Sequence, residues 1–148
     1  MKANSIILSA FFIIILIFCG FETINSPLLQ QKPDPNQLKD KGIGPIKALK
    51  LTAVDKKLTE KGSDLFDAKC SPCHHIKDVN LGPALKGVTK NLSPEFIMNY
   101  LMNTAEMQKK NPYVQKLIGN WKTVPIMKDQ KLKEKDARAV LEFLRTQQ

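Results

Sequence analysis

Apolar and polar positions divide the chain into three stretches. Ile6 to Phe18 is apolar except for Ser9, and the apolar character continues to Phe21. Glu22 to Lys57 shows no long apolar period and is punctuated by Pro27, Pro33, Pro35 and Pro45 with Gly42 and Gly44. Such a stretch reads as a tether. Within it, Ile43 to Leu49 is more apolar and is expected to lie against the C-terminal stretch. From Leu58 onward apolar residues recur at helical spacing, and no alternating run is long enough for a sheet. The pattern predicts an all-α domain over residues 58–148, a tether over 22–57, and a signal or anchor segment over 1–21.

Four helices can be placed from their ends. The first is expected to be capped by Thr59 and to run to Lys69, with Leu65, Phe66 and Ala68 on its apolar side. Gly62 is costly inside it, by roughly 1 kcal/mol against Ala, unless another helix crosses there at close range. Ser93, Pro94 and Glu95 open a second helix carrying Phe96, Ile97, Tyr100 and Leu101, the order of cap, first-turn proline and first-turn acid. Asn111-Pro112 starts a third, through Tyr113, Val114, Leu117 and Ile118, which Gly119-Asn120 ends. The last runs from Glu134 to Thr146, with Val140, Leu141, Phe143 and Leu144 as its stripe. Its first-turn acids, Glu134 and Asp136, and last-turn Arg145 suit the helix dipole.

The apolar start behind Lys2 is an export signal; about 16 apolar residues are short for a full membrane span. No nearby site offers small residues at both positions a signal peptidase wants. Leu16-Ile17-Phe18-Cys19 resembles a bacterial lipobox, in which Cys19 would be lipidated, although Phe18 is large for that position. A lipid anchor, an uncleaved helix and release after cleavage stay open; each places the remainder outside the cytoplasm. If extended, the tether would lift the domain tens of ångströms from a membrane, at roughly 3 Å per residue.

The net charge of +9 is spread out: residues 22–57 hold seven lysines against four acids, and residues 58–148 fifteen Lys/Arg against ten acids. With no basic helix and no aromatic interleaving, nucleic-acid binding is a weak reading and is not expected. Docking to an acidic protein or an anionic lipid surface fits better.

Cys70-Ser71-Pro72-Cys73-His74 carries the chemistry. Cys-x-x-Cys-His reads as a covalent attachment site for one c-type haem. Two thiols one helical turn apart can each add to a vinyl group, and the following imidazole then lies where it can bind iron as the proximal ligand. A zinc site would need two further ligands, yet Cys19 lies in the apolar run and His75 is adjacent to His74. A thioredoxin-like pair would want a βαβ setting. A domain of about 90 residues is small for a self-sufficient core, and a haem would supply apolar mass.

The residues around this motif resemble a class I cytochrome c. Gly62, Phe66 and Cys70 reproduce the spacing of that family's N-terminal helix, and Val140 and Phe143 match the pair its glycine faces. Leu81-Gly82-Pro83-Ala84-Leu85-Lys86-Gly87 is similar to its Gly-Pro-x-Leu-x-Gly loop. The resemblance implies a class I cytochrome c-like helical fold wrapped around one covalent haem. It also implies that the Pro83 carbonyl accepts the His74 Nδ1–H and so improves the ligand.

The sixth iron ligand sets the function. His75 cannot reach the far face, and no other His exists. Met127, in Thr123-Val124-Pro125-Ile126-Met127, lies shortly before the last helix, where the family places its ligand; here Lys128, not Pro, follows it. Met107 is the second choice, while Met98 and Met102 read as core filler. Trp121 is expected near a haem edge or as a loop anchor. His/Met ligation saturates the iron and raises its potential, so the expected role is electron transfer between redox partners with acidic docking surfaces, met by lysines such as Lys86, Lys122 and Lys128. No catalytic residue is expected.

A narrower resemblance exists. Gly42-Ile43-Gly44-Pro45, Gly82 to Lys90, and Thr104-Ala105-Glu106-Met107 are similar to anchored cytochromes encoded beside nitrous-oxide reductases. This implies a donor for anaerobic respiration, with a terminal oxidase as the competing acceptor. A haem enzyme or gas sensor would require that Met127 not bind the iron, and a structural haem subunit of a membrane complex is a third reading.

Overall fold

A crossing of two helices frames the domain. In the computed structural model, which describes residues 35–120 and 126–148, α2 (Lys56–Lys69) lies across the last helix, α7 (Glu134–Thr146). A Cβ on Gly62 would stand 2.0 Å from the Ala139 carbonyl oxygen and 2.9 Å from Phe143 Cβ. Only glycine lets the two backbones approach this far. One turn on, the Phe66 and Phe143 rings meet at 5.1 Å and 43°. Phe143 is thus a neighbour of Gly62 as expected, together with the Ala139 main chain, and Val140 is buried in the core.

The start of α2 differs from the sequence expectation. Asp55, not Thr59, is the N-cap: its carboxylate accepts the Leu58 N–H at 3.0 Å. Thr59 lies inside the helix and its hydroxyl donates back to the Asp55 carbonyl at 2.8 Å. A carboxylate at this position satisfies an orphan amide and faces the positive end of the helix dipole, so it wins the cap and lengthens the helix by a turn.

Between these two helices run α3 (Val88–Asn91), α4 (Pro94–Met102), α5 (Thr104–Lys110) and α6 (Pro112–Asn120), and a short α1 (Pro35–Lys39) precedes them all. No strand occurs among the described residues. The Ser93 hydroxyl caps α4 by accepting the Phe96 N–H at 3.1 Å, and the Asn111 side chain caps α6 through Val114 N–H at 3.0 Å. Asn103 breaks the middle segment, so Thr104 to Met107 belongs to a separate short helix and does not end the preceding one.

Two apolar clusters form. The larger joins Phe66 and Cys70 to Ile97, Met98 and Leu101 of α4 and to Val140, Leu141 and Leu144 of α7. The smaller gathers Phe96, Met107 and Val114, with Tyr100 and Tyr113 against them. Glu142 on α7 is wholly buried. Arg138 Nε reaches it at 2.8 Å, and Arg145 Nη1 reaches both its oxygens at 2.9 and 2.7 Å. Arg145 also donates to the Thr52 carbonyl at 2.8 Å, fastening the segment before α2 to α7.

Residues 41–49, which include the more apolar Ile43 to Leu49 of the expected tether, lie against the domain. Asn99, buried on α4, accepts the Ile46 N–H at 3.0 Å and donates to the Lys41 and Ile46 carbonyls at 2.8 and 2.9 Å. Asn103 donates to the Ile43 carbonyl at 3.0 Å, and Leu49 N–H reaches Glu95 at 3.0 Å. Side-chain amides here complete backbone groups that have no helix or sheet partner. Upstream, Asp40 is held by Ser93 and Asn111, at 2.6 and 2.8 Å. No helix among the described residues is long and apolar enough to cross a membrane. The expected signal or anchor over 1–21, Cys19 included, lies outside the described residues, as do Trp121, Lys122 and Thr123 to Pro125.

Candidate haem site

The Cys-x-x-Cys-His motif forms the turn that ends α2. Cys70 and Ser71 amides both donate to the Phe66 carbonyl, at 2.8 and 2.9 Å, and the Cys73 and His74 amides return to the Cys70 carbonyl at 3.0 and 2.8 Å. The turn is thereby closed on itself, with the two thiols on its coil. Neither is in a disulfide; Cys70 is buried and Cys73 exposed. Burial pushes the Cys70 thiol up, with Lys69 pulling it back and Cys73 adding to the rise.

The following loop doubles back beneath the imidazole. Gly82 N–H bonds the Cys73 carbonyl at 2.8 Å, Leu85 N–H the His75 carbonyl at 3.1 Å and Lys86 N–H the Ile76 carbonyl at 2.7 Å. These bonds set the Pro83 carbonyl 2.9 Å from His74 Nδ1. A carbonyl can only accept, so Nδ1 is the donor here, and Nε2 is the nitrogen left for a metal. Gly82 cannot be replaced without disturbing this: a Cβ there would lie 2.3 Å from His74 Cε1. His75 is exposed and points elsewhere, its Nε2 3.4 Å from the Asn80 amide.

The methionines separate by environment. Met127 is half-buried and packs against the larger cluster, the one that includes Cys70. Met107, the second choice for the distal position, is wholly buried in the other cluster; its sulfur accepts the Ile43 N–H at 2.9 Å and its methyl lies 2.8 Å from where a Cβ on Gly42 would be. Its sulfur is therefore engaged by the segment before α2. Met98 is 1% exposed in the core, and Met102 packs at its margin.

These residues fit a covalent haem. Two unjoined thiols sit on one turn, an imidazole has its Nδ1 engaged from behind by the Pro83 carbonyl, which leaves Nε2 for a metal, and the glycine at its flank leaves it room to stand in that pose. Among the described residues no three His, Cys, Asp or Glu side chains gather to hold a metal ion on their own. A bound haem supplies a one-electron redox centre. The polypeptide would supply the thiols for attachment, a donor at His74 and an apolar surround.

Three polar residues that matter to this arrangement escape a reading of the sequence alone. Gln108 Nε2 donates to the Met127 carbonyl at 2.7 Å, and nothing in the sequence around Gln108 signals it. Asn99 could have been found as the polar residue inside the apolar run Phe96 to Leu101. Glu142 could have been found as an acid flanked by Arg138 and Arg145 on the same helical side.

The comparisons with known proteins agree with this geometry. The family model for cytochrome c matches residues 59–148. A cytochrome c from Rhodothermus marinus is 38% identical, with a TM-score of 0.68, covering 76% of this chain and 96% of its own. An engineered cytochrome c from the same organism is 37% identical over the same shares, at a TM-score of 0.67. A further structure of the engineered protein, bound to a carbene intermediate, is 36% identical at 0.64. No curated protein sequence matches the chain. By the family match and by these identities, the chain belongs to the cytochrome c family, as a class I monohaem, all-α member with one covalently attached haem c that carries electrons.

Proposed function

We propose that this cytochrome is an exported shuttle, held at the outer face of the inner membrane, which passes single electrons between respiratory-chain components. Cys70 and Cys73 make the two thioether links, His74 Nε2 is the proximal ligand and Met127 the distal one. The observation that carries the reading is the sorting of the sulfurs: Met127 packs with the Cys70 cluster, while Met107 is spent on Ile43 in the other. A six-coordinate iron leaves no open position for substrate, and His/Met ligation favours a raised potential.

The acceptor is a respiratory reductase or oxidase with an acidic docking face, nitrous-oxide reductase being favoured by the sequence resemblance. Exposed Lys86 and Lys128, with Lys122, would contribute to a basic docking face and speed encounter more than they tighten it. Anchoring would come from the segment over 1–21 or from lipidated Cys19. A second reading, a haem enzyme or gas sensor, draws on the engineered relative that holds a carbene intermediate and requires an open distal position.

Absorption spectra of wild type and Met127→Ala, matured with haem, separate the two. The carrier reading expects a low-spin ferric haem whose weak long-wavelength methionine band vanishes in the variant. A wild-type spectrum already high-spin, with ready carbon monoxide binding, would move the protein to the second reading. Reduced protein mixed with nitrous-oxide reductase or with an oxidase then identifies the acceptor.

A further inference from the structure

Met127 sits in a loop, and a thioether is a weak ligand, so what holds the loop decides how long the sulfur stays in place. A tie to the helical body runs through Gln108 on α5, whose amide donates to the Met127 carbonyl across 19 residues of chain. Gln108 sits beside Met107 on α5, and Met107 is wholly buried in the smaller cluster. The amide therefore links a helix anchored in that cluster to the main chain of the loop.

We propose that Gln108 is a positioning residue for the distal ligand, fixing the Met127 main chain so that the thioether remains on the iron. The proposal rests on the assignment of Met127 as that ligand. Gln108 does not touch the haem; it acts through the loop. Removing its donor leaves a half-buried carbonyl without a partner in the closed loop but free to be hydrated in the open one. The loop-open population rises accordingly, by about tenfold for a bond of this kind.

Imidazole titration of the ferric holoprotein reads this population directly, because imidazole binds only where Met127 has left. Its apparent affinity scales with the fraction open. Gln108→Leu and Gln108→Glu, the second nearly isosteric but lacking the donor when ionised, are both expected to bind imidazole about tenfold more tightly than wild type. Asn111→Ala, which loosens the Asp40 contact and the α6 cap without touching Met127, is expected to lower the unfolding midpoint and leave imidazole affinity unchanged, which separates positioning from general destabilisation.

Met127→Ala closes the logic. If it binds imidazole far more tightly than wild type while both Gln108 variants match wild type, Gln108 has no positioning role and Met127 keeps its place as ligand. If Met127→Ala itself matches wild type, the ligand assignment falls and the role of Gln108 with it. If Asn111→Ala tightens imidazole as much as the Gln108 variants, the effect is general softening and the proposal is overturned.

Discussion

Replacing Gly62 by Ala sets two effects of opposite sign against each other. Helix propensity alone favours Ala at an interior position by about 1 kcal/mol. The crossing opposes it: the new methyl would lie 2.0 Å from the Ala139 carbonyl oxygen and 2.9 Å from Phe143 Cβ. The first neighbour is main chain and cannot rotate away, so α2 and α7 must part by about 1.4 Å to reach the 3.4 Å at which ordinary contact begins. Even a gap of about 0.5–1 Å forfeits a quarter to a half of the dispersion energy at each contact it opens, and the Phe66–Phe143 pair lies within it. Overpacking of this kind costs typically about 1–3 kcal/mol, and an unyielding neighbour puts it at or beyond the upper end. The net expectation is a loss of about 2–3 kcal/mol. Urea unfolding of the holoprotein, followed by far-ultraviolet circular dichroism, measures it, with Gly119→Ala as the companion. No atom lies within 4 Å of a Cβ on Gly119, so that change is expected to be neutral or to stabilise by up to about 1 kcal/mol. A Gly62→Ala protein as stable as wild type would refute the account of the crossing.

Gly82→Ala acts on the site instead: its methyl would displace the His74 ring from the Pro83 carbonyl, and the expected outcome is a perturbed ferric spectrum with reduced low-spin content. Asn99→Ala strands the Ile46 amide and two carbonyls of residues 41–46; a loss of about 3 kcal/mol is expected, with amide-exchange protection of residues 41–49 falling more than that of α2, as hydrogen-exchange mass spectrometry would resolve. Lys61 hydrogen-bonds Asp136 and holds its carboxyl below the usual value. A depressed folded value means the contribution is present above the unfolded value near 3.8 and disappears as pH falls through the lower folded one. The stability difference between wild type and Asp136→Asn should therefore be flat from neutral pH to about pH 5, vanish at lower pH, and shrink with added salt because Lys61 is exposed and Asp136 only half-buried.

The helices of the crossing are legible in the sequence because local and long-range signals coincide there. Glu134 to Thr146 carries its stripe, its acids and its Arg at the right ends, and it forms over those very residues. Gly62, anomalous by propensity, points to a close approach, and the approach exists. The start of α2 is not legible, because Thr59 and Asp55 are both plausible caps in isolation. The choice falls to Asp55, whose amide also faces Glu142 at 3.4 Å, a contact 87 residues distant that no local pattern contains. Met107 competes as a ligand in the sequence because nothing there reveals that its sulfur is engaged by Ile43. The pose of His74 over Pro83 follows from family resemblance, not from spacing. Gln108 is invisible: an amide that bonds a backbone carbonyl leaves no periodicity and asks for no particular neighbour.

The lacing of residues 40–49 to α4 has a mechanical consequence. A pull transmitted along the chain through Asp40 is borne by Ser93, Asn99, Asn103 and Asn111. These rungs lie upstream of α2 along the chain, so load is shed into α4 and its neighbours before it can reach the turn at Cys70 to His74. A drag on the leader would strain a set of replaceable amide bonds in succession, like stitches in a seam, while the iron-bearing turn stayed slack.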